Sequence, residues 1–246
     1  MDKPLITIIT VTYNAEETLE RCIQSVLMQT YENVEFIIID GLSTDGTVKV
    51  IEEYKDGISY WVSERDTGIY NAMNKGIIKA HGDIIYFLGA DDYLQDKSVI
   101  ETVMMQFINN SIIDVVFGRV ILIKEGDKNS KIAGKMLTIN DLRKGRMAPH
   151  QGMFIKAMLL KSLMFNEEYK ISSDFELIIK CFINNYKVIF IDSVITCYSL
   201  DGLSGNNLYK MLTEQQKIIR EHFGVADSLY FICKSAYILM RHWVKK

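Results

Sequence analysis

The sequence predicts an α/β fold with a mostly parallel central sheet flanked by helices. Up to about residue 120, short β-rich apolar runs alternate with segments whose apolar residues recur at helical spacing. The first strand-like run is mostly apolar and β-branched and does not simply alternate, which is typical of strands covered by helices on both faces. A chain that alternates strand and helix in this way forms parallel pairs, because parallel strands need a crossover connection.

The individual elements follow from the same patterns in chain order. Residues 5–11 are apolar and β-branched and predict the first strand; the next helix is expected to begin with a capping box formed by Asn14 and Glu17. Residues 124–131 are charged and predict a hairpin tip. Further strands are predicted at 34–39, 60–62, 83–88, 115–123, 152–155 and 187–191, and helices around 48–54 and at 69–80, 175–184, 208–223 and 229–244.

Length and composition exclude several classes of protein. The chain has 246 residues, two prolines and no Pro-, Gly- or Ser-rich linker, so one domain spanning 1–246 is the simpler expectation. A net charge of −3 gives no basic signature for nucleic acid. The four cysteines lie far apart, which favours buried free thiols over zinc or disulfides. No signal peptide and no apolar stretch of ~18 residues is present, so a cytoplasmic location is expected.

Polar and acidic residues follow three of the predicted strands. Thr12, Tyr13 and Asn14 come after the first strand, residues 40–45 after the second, and Asp91 with Asp92 after the fourth. Ligands of open parallel sheets bind at this edge. Neither G-x-G-x-x-G nor a Walker loop occurs, which disfavours dinucleotide and P-loop enzymes. An acidic edge can hold a nucleoside diphosphate when Mg²⁺ or Mn²⁺ lies between carboxylates and phosphates.

Four segments in this order resemble the family 2 glycosyltransferases, which are inverting enzymes with the GT-A nucleotide-diphospho-sugar transferase fold. They are residues 8–14 (IITVTYN), 39–47 (IDGLSTDGT), 63–76 (SERDTGIYNAMNKG) and 87–92 (FLGADD). The resemblance implies a nucleotide-binding half at 1–95, an acceptor and catalytic half at 96–205, and C-terminal helices at 206–246. It also implies a UDP- or GDP-sugar donor, a glycan or lipid-linked acceptor, and polysaccharide assembly.

The resemblance assigns the donor side of the site to residues of the first half. Asp91 corresponds to the metal-binding aspartate that closes the family's D-x-D triplet, whose first position is Gly89 here. Asp92 is expected either to supply a second metal oxygen or to cap the next helix. Lys75 is expected to face the diphosphate or to lie on a solvated helix face. The other expected nucleotide-sugar contacts are Thr12, Tyr13, Asn14, Asp40 (to the base), Ser43, Arg65, Asp66 and Ala90.

The acceptor side is assigned to the second half. Residues 172–177 (SSDFEL) resemble the family's acidic motif, which makes Asp174 the expected catalytic base; its alternative role is N-cap of the following helix. His150 and Gln151 are expected to contact the acceptor or the donor sugar, or to be structural. Residues 201–207 (DGLSGNN) are expected to form a loop closing over the donor or an ordinary turn.

Three alternatives stay open at this level. Residues 229–244 combine apolar and basic positions, so this helix is expected either to pack on the core or to rest on the inner face of a membrane. A sugar nucleotidyltransferase would need a glycine-rich basic loop after the first strand, which is missing. A degenerate nucleotide-sugar-binding module without turnover is suggested by Gly89 but disfavoured by the retention of Asp91, Asp92 and Asp174.

Overall fold

The computed structural model describes residues 3–124, 130–200 and 207–244. The strands are β1 (Ile6–Thr12), β2 (Val34–Asp40), β3 (Tyr60–Ser63), β4 (Ile84–Phe87), β5 (Tyr93–Leu94), β6 (Val115–Ile123), β7 (Lys131–Ala133), β8 (Met153–Lys156) and β9 (Val188–Ser199). The helices are α1 (Leu19–Leu27), α2 (Thr47–Glu53), α3 (Ile69–Lys79), α4 (Val99–Asn109), α5 (Ile139–Arg143), α6 (Ala157–Leu163), α7 (Ser173–Ile183), α8 (Leu208–Phe223) and α9 (Val225–Val244).

The described strands form one mixed sheet in the order β3-β2-β1-β4-β8-β6-β9-β5, with β7 paired to β6. The α/β prediction is confirmed, and the predicted parallel arrangement holds for β3-β2-β1-β4. Beyond β4 the pairs are antiparallel except for β6 with β9. In register, Thr12 pairs with Asp40 and Asp40 with Ser63, so the carboxyl ends of β1, β2 and β3 are level.

Both faces of the parallel half are buried, which explains its continuous apolar runs. On one face Ile9, Ile37 and Phe87 belong to a core cluster that includes α3 and α7. On the other, Ile8 and Ile38 belong to a cluster that includes α1 and α4. Side chains alternate across a strand, so a run with apolar residues at both odd and even positions contributes to both clusters.

The structure corrects several local predictions. Thr18, not Asn14, is the N-cap of α1 and makes no side-chain cap bond; Asn14 has a φ of 50° in the preceding loop. Cys22, Cys181 and Cys197 are buried and free as expected, but Cys233 is exposed. β6 and β7 pair antiparallel, in agreement with the predicted hairpin, whereas most of its tip (125–129) and of the predicted loop at 201–207 lie outside the described residues. The helices α4, α5 and α6 were not predicted.

Helix α9 has 20 residues. None of the helices within the described ranges combines the length and apolarity needed to span a membrane.

Candidate active site

A cleft of about 1280 Å³ opens at the carboxyl ends of β1, β2 and β4. Because these parallel strands end at one edge, the segments that follow them meet there. The cleft brings together most of the residues expected to contact a ligand. The predicted residues that line it are Thr12, Tyr13, Asn14, Arg65, Asp66, Ala90, Asp91, Asp92, His150 and Gln151.

The loops after β1 and β2 hold each other in place. The Asn14 amide oxygen accepts a hydrogen bond from the backbone N–H of Thr44 at 2.8 Å, and the Asn14 N–H donates to Ser43 Oγ at 2.8 Å. Asp45 accepts from the backbone N–H groups of Thr47 and Glu16. These bonds shape the wall that presents Tyr13, which is 63% exposed, to the cleft.

Asp40 and Ser43 support this wall rather than line it. Asp40 is fully buried, and its carboxylate accepts hydrogen bonds from Ser43 Oγ and from Ser63 Oγ at 2.6 Å. Neither Asp40 nor Ser43 is among the residues that line the cleft. The expected contact of Asp40 with a base stays a prediction, and it would need these bonds to rearrange.

Lys75 is also turned away from the cleft. Its ammonium donates to the backbone oxygen of Arg65 at 2.9 Å and forms an ion pair with Glu64 at 2.7 Å. These bonds fix the turn that carries Arg65 and Asp66, and the expected contact of Lys75 with a diphosphate stays a prediction. Asp66 lines the cleft and accepts from the backbone N–H of Gly68 at 2.8 Å.

Asp91 and Asp92 lie at the end of the segment that follows β4. Asp92 does not cap a helix, because β5 follows it. Its Oδ1 accepts from the backbone N–H of Ser199 at 2.8 Å, whereas Oδ2 is buried without a hydrogen-bond partner among the described residues. Burial raises the pKa of Asp92 to about 7, and the neighbouring charge of Asp91 adds to the rise. A buried carboxylate with one unsatisfied oxygen is costly unless a ligand or cation compensates it.

The glycine at position 89 makes room for this carboxylate. A Cβ on Gly89 would lie 2.6 Å from Asp92 Oδ2 and 3.1 Å from Asp91 Oδ1. Those distances are shorter than ordinary van der Waals contact, so a side chain there would displace one or both carboxylates. The glycine at the first position of the triplet thus fits the position that the Asp92 carboxylate takes here.

Replacing Gly89 by Ala is expected to weaken cation-dependent donor binding. Moving the Asp92 carboxylate costs about 1–2 kcal/mol on the scale of ordinary overpacking, which corresponds to a roughly tenfold rise in Kd. Titration calorimetry with a nucleoside diphosphate and Mn²⁺ would measure it. An unchanged Kd would mean that the carboxylates tolerate the methyl group.

His150 and Asp174 form a pair at the cleft wall. His150 Nδ1 lies 2.8 Å from Asp174 Oδ2. His150 lines the cleft, whereas Asp174, which is 8% exposed, is not among the lining residues. Burial alone would lower the pKa of His150, but the hydrogen bond and charge of Asp174, together with the charge of Asp92, outweigh it and raise that pKa. An imidazole whose Nδ1–H donates to a carboxylate has Nε2 as its acceptor atom.

The rest of the Asp174 environment explains why the carboxylate is fixed. Ser172 is the N-cap of α7, so the predicted N-cap role of Asp174 is wrong. Asp174 Oδ1 instead accepts from Tyr70 Oη at 3.1 Å and from the Phe175 N–H at 2.8 Å. Tyr70 was missed from the sequence, although it lies within the segment 63–76. Glu214 of α8 was also missed; it accepts from the backbone N–H groups of residues 170, 171 and 172 and thereby fixes the approach to α7.

Gln151 contributes through its backbone. Its carbonyl oxygen accepts from Tyr86 Oη and from Thr196 Oγ1, both at 2.8 Å. Tyr86 in turn stacks on Phe154 with ring centroids 4.1 Å apart. These buried contacts hold the turn at His150–Gly152 against the sheet and so fix the position of His150.

The acidic residues fit a hard cation that is shared with a ligand. Within the described ranges, no group of three or more His, Cys, Asp or Glu side chains could by itself hold a metal ion. Mg²⁺ and similar ions are, however, commonly held by one or two carboxylates plus phosphate oxygens and water. Asp91 and Asp92 fit that requirement, because both line the cleft and Asp92 Oδ2 lacks a hydrogen-bond partner among the described residues.

Comparison with protein families identifies the sequence relationship. The model of "Glycosyl transferase family 2" matches residues 7–165. An uncharacterised glycosyltransferase of Methanocaldococcus jannaschii is 28% identical over 256 residues, covering 100% of this chain and 82% of its own. A glycosyltransferase of PGL/p-HBAD biosynthesis from Mycobacterium tuberculosis is 27% identical, covering 100% of this chain and 93% of its own.

Solved structures share the fold. TarS 1–349 of S. aureus in complex with UDP-GlcNAc superposes with a TM-score of 0.72 at 18% identity over 89% of this chain, which spans 66% of that fragment. The mannosyltransferase PcManGT of Pyrobaculum calidifontis, in complex with GDP-Man and Mn²⁺, gives a TM-score of 0.69 at 16% identity over 95% of this chain and 70% of its own. The predicted GT-A fold is confirmed by these neighbours.

Proposed function

Because the chain belongs to glycosyl transferase family 2 and is a glycosyltransferase, we propose that it moves a sugar from a nucleoside-diphosphate sugar to a hydroxyl group by one inverting displacement. The observation that carries the proposal is that two complementary pairs of side chains meet at one cleft. Asp91 and Asp92 line it, and Asp92 Oδ2 has no hydrogen-bond partner among the described residues. The His150–Asp174 pair borders the same cleft.

The donor would bind along the strand ends. Thr12, Tyr13 and Asn14 line the cleft. The buried Thr12 Oγ1 has no hydrogen-bond partner among the described residues. Arg65 adds a positive charge to the same wall. The complexes of TarS with UDP-GlcNAc and of PcManGT with GDP-Man support a UDP- or GDP-linked sugar as the donor of this enzyme.

The acceptor would be activated by the imidazole of His150. The acceptor oxygen attacks the anomeric carbon as the bond from that carbon to the diphosphate breaks, and the hydroxyl proton passes to His150 Nε2. Asp174 holds the Nδ1–H and balances the positive charge that the ring acquires. This step keeps Asp174 essential to the base but assigns the contact with the acceptor to His150.

A divalent cation, Mg²⁺ or Mn²⁺, would be held by Asp91 and Asp92 together with the donor diphosphate. When bound, it supplies charge stabilisation on the leaving group. The presence of Mn²⁺ in the PcManGT complex supports this choice. A glycan or lipid-linked acceptor, a role in polysaccharide assembly and a cytoplasmic location complete the proposal.

The test is a panel of UDP- and GDP-sugars, each with Mn²⁺ or with EDTA, read by thermal shift and by release of nucleoside diphosphate. A bound donor is expected to raise Tm, since a ligand at 100 times its Kd stabilises the native state by about 2.7 kcal/mol. We expect stabilisation and release only with Mn²⁺ or Mg²⁺. If donors bind but none is transferred or hydrolysed, the protein would instead be a binding module without turnover. Full activity in EDTA would show that a divalent cation is not required.

A further inference from the structure

The outward side of α9 is apolar over residues 225–240. Leu229, Tyr230, Ile232, Tyr237 and Met240 are between 43% and 57% exposed. The remaining exposed positions of the helix, from 225 to 240, are occupied by Val, Ala and Cys. A surface helix normally turns a polar face to solvent, so an apolar outer face indicates a missing partner.

The inner side of the same helix packs against the rest of the protein. Phe231 is buried and lies against Gly145, where a Cβ would come within 2.1 Å of its ring. Ile238 and Leu239 pack on the core cluster that includes α7. Asp227 and Lys234, the charged residues of 225–240, bond to Arg143 and to the Lys144 carbonyl. The side of α9 that packs on the protein is therefore distinct from its apolar outer face.

Exposed basic residues lie on the segment that packs against α9. Arg143, Lys144 and Arg146 are exposed there. In the sequence from 228 to 246 the residues Lys234, Arg241, Lys245 and Lys246 are basic, and Asp and Glu do not occur. Asp141 and Asp227 are the acids paired with Arg146 and Arg143, and they leave an excess of positive charge.

We infer that α9 docks the enzyme on an anionic membrane surface, with the outer face in the interface and the basic residues beside lipid headgroups. An apolar helical face bordered by Lys and Arg is the pattern of interfacial helices. Because the opposite side of the helix packs on the protein core, only its outer face is available, and the helix would lie in the plane of the interface. A second copy of the chain fits less well, because a two-fold contact through this face would set like charges near one another.

The docking also deepens the proposed function, on which this step rests. Gly145, which contacts Phe231, lies five residues before His150. The segment on which the inner side of α9 packs therefore continues into the turn that carries His150, and it would connect a docked α9 to the proposed acceptor side. The acceptor class that suits this arrangement is a hydroxyl on a lipid-linked glycan.

The test is flotation of the full chain with vesicles of phosphatidylcholine alone or with one-third phosphatidylglycerol. We expect binding to the anionic vesicles that falls as salt rises, since surface charge is screened. Leu229→Glu with Ile232→Glu is expected to lower the bound-to-free ratio at least about tenfold, because it places charge in the interface. Lys144→Glu is a second variant that lowers binding through charge and leaves the apolar face intact.

A matched control uses exposed apolar residues elsewhere. Ile112 and Met158 are 64% and 82% exposed, and their replacement by Glu is expected to leave flotation unchanged. Equal loss in this control, no flotation of the wild type, or undiminished flotation of the α9 variant would each overturn the docking. So would a wild-type dimer by sedimentation that the α9 variant abolishes without any vesicle binding. Nucleoside-diphosphate release in the absence of vesicles is expected to be equal in all variants, and its absence from the wild type would count against the transferase proposal alone.

Discussion

The variant Asp174→Asn is expected to lower kcat by about 10²–10⁴, the range attributed to a positioned proton acceptor, while the donor Kd changes little. Asn keeps the size of the side chain and can still accept from the His150 Nδ1–H, but it lacks the charge that balances a protonated imidazole. The donor Kd is preserved because Asp174 does not line the cleft. Steady-state transfer kinetics and calorimetric titration of the donor would measure the two quantities.

The pH profile separates orientation of the base from ordinary structural support. His150 must be neutral to accept a proton, so kcat of the wild type is expected to rise with pH through an apparent pKa above the usual value of His. Removing the charge of Asp174 removes the main influence that raises this pKa. The residual activity of Asp174→Asn is therefore expected to rise at a lower pH than that of the wild type.

A variant of His150 decides which group contacts the acceptor. His150→Asn leaves an amide N–H near Asp174 but no ring nitrogen to take the proton. We expect the kcat of His150→Asn to fall as far as that of Asp174→Asn. The kcat of the double variant is expected to be little lower than that of either single variant, because the two residues act as one unit. Substantial activity in His150→Asn would return the role of direct base to Asp174.

Glu176→Gln is the matched control on the same helix. Glu176 is also buried and also paired with a histidine, since His222 Nε2 lies 3.4 Å from its Oε1, but it faces α8 instead of the cleft. Loss of its ion pairs with Lys180 and His222 is expected to reduce stability and to leave kcat of the folded enzyme unchanged. A parallel loss of kcat in this control would mean that α7 as a whole is sensitive to substitution.

The parallel half of the fold could be predicted because each strand has a recognisable local sequence pattern. Residues 5–11 and 34–39 are mostly apolar and β-branched, and the Cα partners Thr12 and Asp40 place their ends at one edge. Predictions that depend on this edge, such as the approach of Asn14 and Asp91 to one cleft, followed from topology, whereas Asp66 was assigned by the family resemblance. The second half was harder, because short helices and antiparallel strands lack such periodicity over sufficient length.

Contacts between distant segments could not be predicted from local pattern. Asp174 and Lys75 were both assigned to the site by the family resemblance. His150, 24 positions away, pairs with Asp174 at the cleft wall, whereas Lys75 pairs with Glu64 away from the cleft. The role of Tyr70 depends on its approach to Asp174 across 104 positions. Such approaches are decided by packing of the whole core, and chain spacing carries no information on them.

Asp92→Asn is expected to separate stability from ligand binding. The pKa of Asp92 is raised in the folded chain, so its contribution to stability is complete below the unfolded value and is lost as pH rises through about 7. Without a cation, the neutral variant is therefore expected to melt at a higher temperature than the wild type above pH 7. A gain of 1 kcal/mol corresponds to roughly 2–4 °C for a chain of this size.

With Mn²⁺ and a nucleoside diphosphate the order is expected to reverse. The wild type gains the binding free energy, whereas the amide in Asp92→Asn offers the cation a weaker ligand and gains little. Asp96→Asn is the matched control, because it removes the same charge at an exposed position outside the cleft. The Tm of the wild type, Asp92→Asn and Asp96→Asn would be measured by thermal shift across pH, with and without the ligand. Full Mn²⁺-dependent stabilisation of Asp92→Asn would contradict the cation assignment, and an unchanged pH slope would show that the Asp92 carboxylate is not held unsatisfied in the free enzyme.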